Sequence, residues 1–223
     1  MSNHPQMPLL LSDLDETILA RRDALRRWAV GFVSSRGLPA TAVDAILDED
    51  RHGARTRPEF VEAVNGRIAP DPPLTLDYLR DYVGCFELSD DTADALVRAR
   101  GAGWRIAVVS NGEQPQVDKI DHVGLRRYVD AVAVSAIDGS RKPDPGLFRI
   151  AAERAGADLT GAALASTWMI GDDAVNDIGG AHAVGVRSVW LRHGRDWPVG
   201  LEPPTAQAES FPAAVDLVLS TTS

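Results

Sequence analysis

The sequence has little cysteine, no long apolar run and no excess of positive charge, and each shortage excludes a class of protein. Cys85 is the only cysteine, which excludes an internal disulfide and a cysteine-based zinc site. No apolar run approaches the length that spans a membrane. The net charge of −9 argues against general nucleic-acid binding, because such binding depends on neutralising phosphates. We therefore expect neither a nucleic-acid partner nor a membrane partner.

The N-terminal segment also lacks the features of a secretory signal. Its first residues, MSNHPQMP, contain neither a basic region nor an apolar region. A single cysteine is consistent with a reducing compartment. These two observations predict a cytoplasmic protein.

The remaining composition is that of an ordinary globular protein, and its pattern alternates between strand and helix. The 223 residues are 44% hydrophobic and 25% charged, which suits one large domain or one domain with a small insert. No internal repeat is visible. Helical patterns separate five short apolar runs: PLLLSDL, WRIAVVSNG, YVDAVAVSAIDG, STWMIGDD and RSVWL. This alternation predicts an α/β fold, a Rossmann-like parallel-sheet core with helices on both faces.

Between residues 20 and 84 the strand pattern disappears. Apolar residues there recur at helical spacing among many Ala, Arg, Asp and Glu residues. We predict a small helical domain at 20–84, inserted after the first strand into a core formed by 1–19 and 85–223. On its first helix, Trp28 and Phe32 are expected to pack inside the insert. Four arginines are expected to form a solvated face: Arg21, Arg22, Arg26 and Arg27.

Two shorter segments have simpler interpretations. Ser89 precedes the acidic start of a helical pattern and is a predicted N-cap. The Pro-rich segment RDWPVGLEPPTAQAESFP is predicted to be a loop. The final AAVDLVLS fits a strand or a helix equally well.

Polar residues follow the predicted strands, where open parallel sheets bind ligands. They are Asp13, Asp15 and Thr17 after the first strand, Ser110 and Asn111 after the second, Lys142 at a Pro-bounded helix start, and Asp172, Asp173 and Asp177 after a later strand. Several carboxylates can lie close together at one edge of the sheet if a divalent cation neutralises their charge. A ligand set made only of oxygen favours Mg²⁺ over zinc.

This set of residue types suits phosphoryl transfer. One carboxylate can attack phosphorus and form an aspartyl-phosphate. A second, two residues on, can protonate the leaving oxygen and then activate water. A metal ion and a lysine can offset the charge of the transferring group. Hydroxyl and main-chain N–H groups can hold the phosphate oxygens.

The motifs resemble those of the haloacid dehalogenase superfamily, in order and spacing, across most of the chain. DLDET resembles its first motif, VVSNG its second, RKPDP its third and IGDDAVNDIGGA its fourth. The resemblance is to the phosphatase-like branch, with a helical cap of the C1 type at residues 20–84. It implies Mg²⁺-dependent hydrolysis of small phosphate monoesters.

The resemblance also implies roles for individual residues. Asp13 is the expected nucleophile, Asp15 the general acid and base, and Lys142 the residue that stabilises the nucleophile and the transferring phosphate. Phosphate binding is expected from Thr17, Ser110 and Asn111. The expected metal ligands are Asp13, Asp15 through its carbonyl, Asp172 and Asp177. Asp173 could substitute for one of the last two, although a helix-capping role suits it better.

Other functions remain open at this point. Asp15 argues against the dehalogenating branch, which generally lacks the second aspartate of the first motif. A phosphomutase uses a similar motif. Two non-enzymatic alternatives are a phospho-accepting signalling domain and a phospho-ligand-binding descendant of the phosphatase fold. The expected partner is a small phosphorylated metabolite, and a homodimer is not decided by the sequence.

Overall fold

The structure is a computed structural model that describes residues 7–221, apart from the side chain of His52. Residues 1–6, which carry most of the N-terminal segment behind the targeting prediction, lie outside the described residues. Between residues 7 and 221, no helix is both long and apolar enough to cross a membrane. The chain divides into two compact units: Ala20–Glu87 form one, and the described residues up to Leu19 and from Leu88 form the other.

One parallel sheet organises the larger unit. Its strands are β1 (Leu9–Ser12), β2 (Arg105–Ser110), β3 (Ala131–Val134), β4 (Thr167–Gly171), β5 (Arg187–Leu191) and β6 (Ala206–Ala208). Their order is β3-β2-β1-β4-β5-β6, and every neighbouring pair is parallel. Leu11 of β1 lies opposite Ala107 of β2 and Met169 of β4. The predicted Rossmann-like α/β fold is confirmed.

The described residues form ten α-helices in the two units. They are α1 (Arg21–Ser35), α2 (Thr41–Asp50), α3 (Arg57–Ile68), α4 (Tyr78–Val83), α5 (Asp90–Gly101), α6 (Gln114–His122), α7 (Ser135–Asp138), α8 (Pro145–Arg154), α9 (Gly179–Val184) and α10 (Phe211–Ser220). Short 3₁₀ turns lie at Arg51–Gly53, Leu125–Arg127 and Gly161–Ser166. A π-helical turn at Ala174–Ile178 leads into α9.

The central strands β1, β2 and β4 are buried on both faces of the sheet, since they are apolar at successive positions. Leu9 and Leu11 share a cluster with Leu147 and Phe148 of α8. Leu10 points to the opposite face, since side chains alternate along a strand, and it is equally buried. Helices α5 and α10 pack against each other and contact the strands.

Three further sequence interpretations can be compared with the structure, and one of them is wrong. Ser89 caps α5 as predicted, accepting a hydrogen bond from the Thr92 N–H. The ambiguous C-terminal segment is helix α10. The predicted loop before it contains β6, which pairs with β5 at the sheet edge. Three residues are too few to show strand alternation, so the sequence pattern alone could not reveal this strand.

The smaller unit, Ala20–Glu87, contains α1 to α4 and no strand among its described residues. It extends to Glu87 rather than to residue 84. Trp28 and Phe32 pack together with ring centroids 5.1 Å apart, and Trp28 also packs on Tyr78 at 5.0 Å. Both are buried, as expected for residues four apart on the inner face of α1.

The expectation of a solvated arginine face is wrong for Arg21. Arg22, Arg26 and Arg27 are exposed, but Arg21 is buried and donates to both carboxylate oxygens of Asp50, at 2.9 and 2.7 Å. Its position four residues before Leu25 places it on the apolar face of α1. A guanidinium can occupy that face because Asp50 neutralises its charge.

Candidate active site

Asp13 directly follows β1. The strands that come next along the chain, β2 and β3, lie on one side of β1, and the later strands lie on the other side, so the strand order reverses at β1. The main-chain N–H of Asp13 donates to the Ile170 carbonyl of β4 at 2.9 Å, which ties the end of β1 to the end of β4. The carboxyl edge at such a reversal is where open α/β sheets bind ligands. The Asp13 side chain is buried there.

Lys142 is the buried partner of Asp13. Its ammonium donates to Asp13 Oδ1 at 2.5 Å, to Asp177 Oδ1 at 2.7 Å and to the Val109 carbonyl at 2.6 Å. These three bonds use all three donors of the ammonium. Lys142 therefore joins residues from three parts of the sequence at one point.

Asn111 fixes the main chain of Lys142. Its Oδ1 accepts from the Lys142 N–H at 2.9 Å, and its Nδ2 donates to the Lys142 carbonyl at 3.0 Å. The side-chain amide of Asn111 is therefore engaged by the peptide groups of Lys142. This geometry supports a role in placing the lysine.

Three carboxylates converge beside this lysine. Oxygen atoms of Asp13, Asp172 and Asp177 all lie within 4.8 Å of one another. Asp177 lies in the π-helical turn, where its Oδ2 accepts from the Asp173 N–H at 2.9 Å. A Cβ atom at Gly171 would lie 2.3 Å from Asp177 Oδ2, so only glycine leaves room for this carboxylate.

Burial dominates the electrostatics of the three carboxyl groups. It raises the pKa of Asp13 to about 7, against the lowering effect of Lys142. Burial likewise raises the pKa of Asp172 to about 6, with a further contribution from the charge of Asp13. The pKa of Asp177 is raised for the same reason. Burial works against the charge of Lys142, but Asp13 and Asp177 outweigh it and raise the lysine pKa.

Two positive groups face the three carboxylates of this cluster, so the protein groups alone do not balance its charge. Lys142 supplies one positive charge to Asp13 and Asp177, and Arg195 donates to Asp172 Oδ2 at 3.1 Å. Anionic oxygen ligands at close range with residual negative charge are what a hard divalent cation requires. The three carboxylates could therefore hold such an ion.

Asp15 has separate partners on helix α6. Lys119 Nζ donates to both of its carboxylate oxygens, at 2.9 and 2.7 Å. Gln116 Nε2 donates to Asp15 Oδ2 at 3.0 Å and to Ser110 Oγ at 2.7 Å. Asp15 and Ser110, both predicted site residues, are thus joined through one glutamine.

The remaining predicted residues have distinct surroundings. Thr17 is buried, and its Oγ1 has no hydrogen-bond partner among the described residues. Asp173 accepts from the N–H groups of Val175 and Asn176 at 2.9 and 2.8 Å, so it caps the π-helical turn. It lies outside the group formed by Asp13, Asp172 and Asp177.

Sequence reasoning missed three residues that contact the predicted ones. Gln116 and Lys119 hold Asp15, and Arg195 contacts Asp172. One sequence signal could have revealed Lys119, because the chain contains only two lysines, Lys119 and Lys142. Both are buried, whereas surface positive charge is carried by arginine.

Fold and site together define a class: an α/β enzyme with an acidic site at the carboxyl edge of its sheet and a helical insertion after β1. Comparison with known proteins gives the family. The model of the haloacid dehalogenase-like hydrolases matches residues 7–185. The chain belongs to this family of hydrolases.

Individual relatives agree with this assignment and point to the phosphatases of the family. The chain is 37% identical to a phosphoserine phosphatase of Thermus thermophilus, over 84% of this chain and 90% of that protein. It is 29% identical to a glyceraldehyde 3-phosphate phosphatase of Pyrococcus abyssi, over 84% of this chain and 82% of that protein. The predicted resemblance to a phosphatase-like hydrolase is confirmed.

A solved structure supports the fold. The hydrolase YfnB of Bacillus subtilis, crystallised with magnesium, superposes with a TM-score of 0.71 at 21% identity. The superposition covers 96% of this chain and 99% of that one. At this level of identity the likeness concerns the fold alone.

Proposed function

We propose that the protein hydrolyses small phosphate monoesters through an aspartyl-phosphate on Asp13, with Mg²⁺ as cofactor. The observation that carries the proposal is the buried Asp13 carboxylate, held 2.5 Å from Lys142 beside Asp172 and Asp177. A nucleophile in this position is oriented by the lysine and surrounded by groups suited to a phosphate and its metal ion.

The reaction has two steps. An Asp13 oxygen attacks phosphorus, the bond from phosphorus to the leaving oxygen breaks, and Asp15 gives that oxygen its proton to release an alcohol. A water molecule then attacks the aspartyl-phosphate and gives a proton to Asp15. The bond between phosphorus and Asp13 breaks, which releases inorganic phosphate and restores both carboxyl groups.

The other residues bind and orient. Lys142 holds Asp13 and offsets charge on the transferring group, and Asn111 holds Lys142. The hydroxyls of Thr17 and Ser110 are the proposed phosphate contacts. Mg²⁺ would be held by Asp13, Asp172, Asp177 and the Asp15 carbonyl. When bound, it offsets the negative charge that develops on the phosphoryl oxygens.

The names of the relatives support a small substrate. They include phosphatases named for phosphoserine and for glyceraldehyde 3-phosphate, both small phosphorylated molecules. We propose that the helical unit, residues 20–87, acts as a cap that selects the substrate and excludes water. A small-metabolite substrate is consistent with the cytoplasmic location expected from the sequence.

The test is release of inorganic phosphate from a panel of monoesters that includes phosphoserine, sugar phosphates and nucleoside monophosphates. Each ester is assayed with Mg²⁺, with a chelator, and with an Asp13→Asn variant. We expect turnover that requires both Mg²⁺ and Asp13. A folded protein that binds Mg²⁺ yet releases no phosphate from any ester would contradict the proposal, as would turnover by the variant.

A further inference from the structure

Each catalytic aspartate proposed above has its own lysine. Lys142 contacts Asp13, and Lys119 contacts Asp15. They are the only two lysines in the sequence, and both are buried, Lys119 completely. The chain thus uses lysine only where an ammonium meets one of these two carboxylates.

Lys119 and Gln116 form a clamp around Asp15. They lie three residues apart on α6, on the same face of the helix. Lys119 Nζ donates to Gln116 Oε1 at 2.6 Å as well as to both Asp15 oxygens. Gln116 Nε2 donates to Asp15 Oδ2 and to Ser110 Oγ. Both carboxylate oxygens of Asp15 are therefore fixed in direction.

The clamp approaches Asp15 from the interior. Lys119 is 0% exposed and Gln116 4%, whereas the Asp15 side chain remains 22% exposed. Lys119 and Gln116 are therefore too buried to face solvent or a ligand, and only the carboxylate between them is accessible. This is the arrangement expected of groups that support a reacting residue without touching the substrate.

The backbone beside the clamp is shaped to admit Gln116. A Cβ atom at Gly112 would lie 2.5 Å from Gln116 Cγ. Any other residue at position 112 would push the glutamine from its present place. Gly112 itself is held by Ser135, whose Oγ accepts from its N–H at 2.9 Å.

We propose that Lys119 and Gln116 are positioning residues that hold Asp15 for proton transfer to the leaving oxygen and from the attacking water. This inference rests on the proposed phosphatase function. A proton donor must lie within hydrogen-bond reach of the atom it serves, and a fixed rotamer avoids an entropic cost in each step. Stabilisation of the folded state is by itself a weak explanation for a buried ion pair, because apolar residues in the same place often give equal stability.

The experiment measures kcat/KM for two leaving groups in Lys119→Met. One ester is an alkyl phosphate, whichever of phosphoserine and glycerol phosphate the wild type hydrolyses faster. The other is 2,4-dinitrophenyl phosphate, whose leaving group departs without a proton. Since kcat/KM covers the steps through departure of the leaving group, the later attack of water does not obscure the comparison.

We expect Lys119→Met to lose about 10- to 100-fold in kcat/KM with the alkyl ester but less than about threefold with the dinitrophenyl ester, because only the first needs the proton. Asp15→Asn should show the same division between the esters. Gln116→Met should show it to a smaller degree. Gln114→Met is the matched control, since Gln114 is exposed on the same helix and contacts Asp118 instead.

Equal losses with the two esters in folded Lys119→Met would overturn the inference. If that variant does not fold, equal losses in Gln116→Met, or no loss in it, would do so. Failure of the proposed function would give a different result. The wild type would hydrolyse neither ester, or Asp13→Asn would remain active. Either result would also contradict the inference about Lys119 and Gln116.

Discussion

Asp172 and Asp173 are neighbours in the sequence, yet their carboxylates have different surroundings. Asp172 belongs to the group with Asp13 and Asp177, whereas Asp173 accepts N–H groups at the start of the π-helical turn. We predict that Asp172 rather than Asp173 binds the metal ion, because the Asp172 carboxylate lies in that group. They therefore form a matched pair for testing the metal site.

We expect Asp172→Asn to raise the Mg²⁺ concentration for half-maximal activity by at least about 10-fold, because it removes a charged oxygen ligand. Asp173→Asn should leave that concentration unchanged, since asparagine also caps helices. Metal titration of phosphate release compares the two. An equal shift in both variants would contradict the assignment of Asp172 and Asp173.

Gly171 tests the position of Asp177. A methyl group there would lie 2.3 to 2.4 Å from atoms of the Asp177 side chain, so Gly171→Ala must displace it from Lys142. We expect kcat/KM to fall by about 10²-fold, the effect of a small misplacement of reacting groups. Gly101→Ala, with open space around the new methyl group, is the control. Unchanged activity in Gly171→Ala would show that the position of Asp177 is unimportant.

At the scale of elements, side chains outside the acidic cluster join helices to strands. Arg154, at the end of α8, donates to the Val132 carbonyl of β3 at 2.8 Å and also pairs with Asp138 of α7. The Asp138 carboxylate accepts from the Val134 N–H at 2.7 Å. One aspartate thus links the end of β3 to α7 and α8.

This link predicts a pH dependence of stability. Burial raises the pKa of Asp138, but the hydrogen bonds from Arg154 and Val134 outweigh it and lower the pKa below 3.8. A lowered pKa in the folded state gives stability that is present above about pH 4 and is lost as the pH falls further. Asp138→Asn should therefore cost about 1 kcal/mol at pH 7 and less at pH 3.5.

Urea denaturation of wild type and Asp138→Asn at these two pH values provides the check. The result expected is a difference in the free energy of unfolding that shrinks on acidification. A difference that stays constant or grows would contradict the proposed link.

In the helical unit, the buried pair of Arg21 and Asp50 joins the start of α1 to the end of α2. Asp50 Oδ2 also accepts from the Gly53 N–H at 3.0 Å. Removing one partner leaves a buried charge, so Arg21→Met or Asp50→Asn should each cost about 3–5 kcal/mol. The double variant should cost clearly less than the sum of the two. Additive costs in denaturation experiments would contradict a direct pairing.

At the scale of the molecule, local patterns predicted the sheet and the residues that end its strands. Asp13, Lys142 and Asp177 could be foreseen because each lies in a motif beside a strand end or helix start. The contacts of Asp15 with Lys119 and Gln116 were not predicted, because these residues lie 104 and 101 positions away on a helix. Only the rarity of lysine in the sequence singles out Lys119. The strand β6 was not predicted, because three residues are too few to show the alternation of apolar and polar side chains that indicates a strand.

The burial of Arg21 was not predicted, because a charged residue is normally expected at the surface. The spacing between Arg21 and Leu25 places Arg21 on the inner face of α1. A buried guanidinium is tolerated there because Asp50, 29 residues further on, neutralises its charge. Sequence patterns report which face a residue occupies, whereas pairing partners depend on how separate elements pack. The sequence therefore predicted the residues that gather around Asp13, whereas it did not predict the partners of Asp15 and Asp172.

The most direct test of the central claim is chemical trapping of the intermediate on Asp13. The enzyme is quenched during turnover of a phosphate monoester with Mg²⁺, treated with borohydride, and digested for mass spectrometry. Borohydride reduces an aspartyl-phosphate to homoserine, so we predict homoserine at position 13 and unmodified aspartate at position 15. Turnover that leaves Asp13 unmodified, or that modifies another residue instead, would contradict the account.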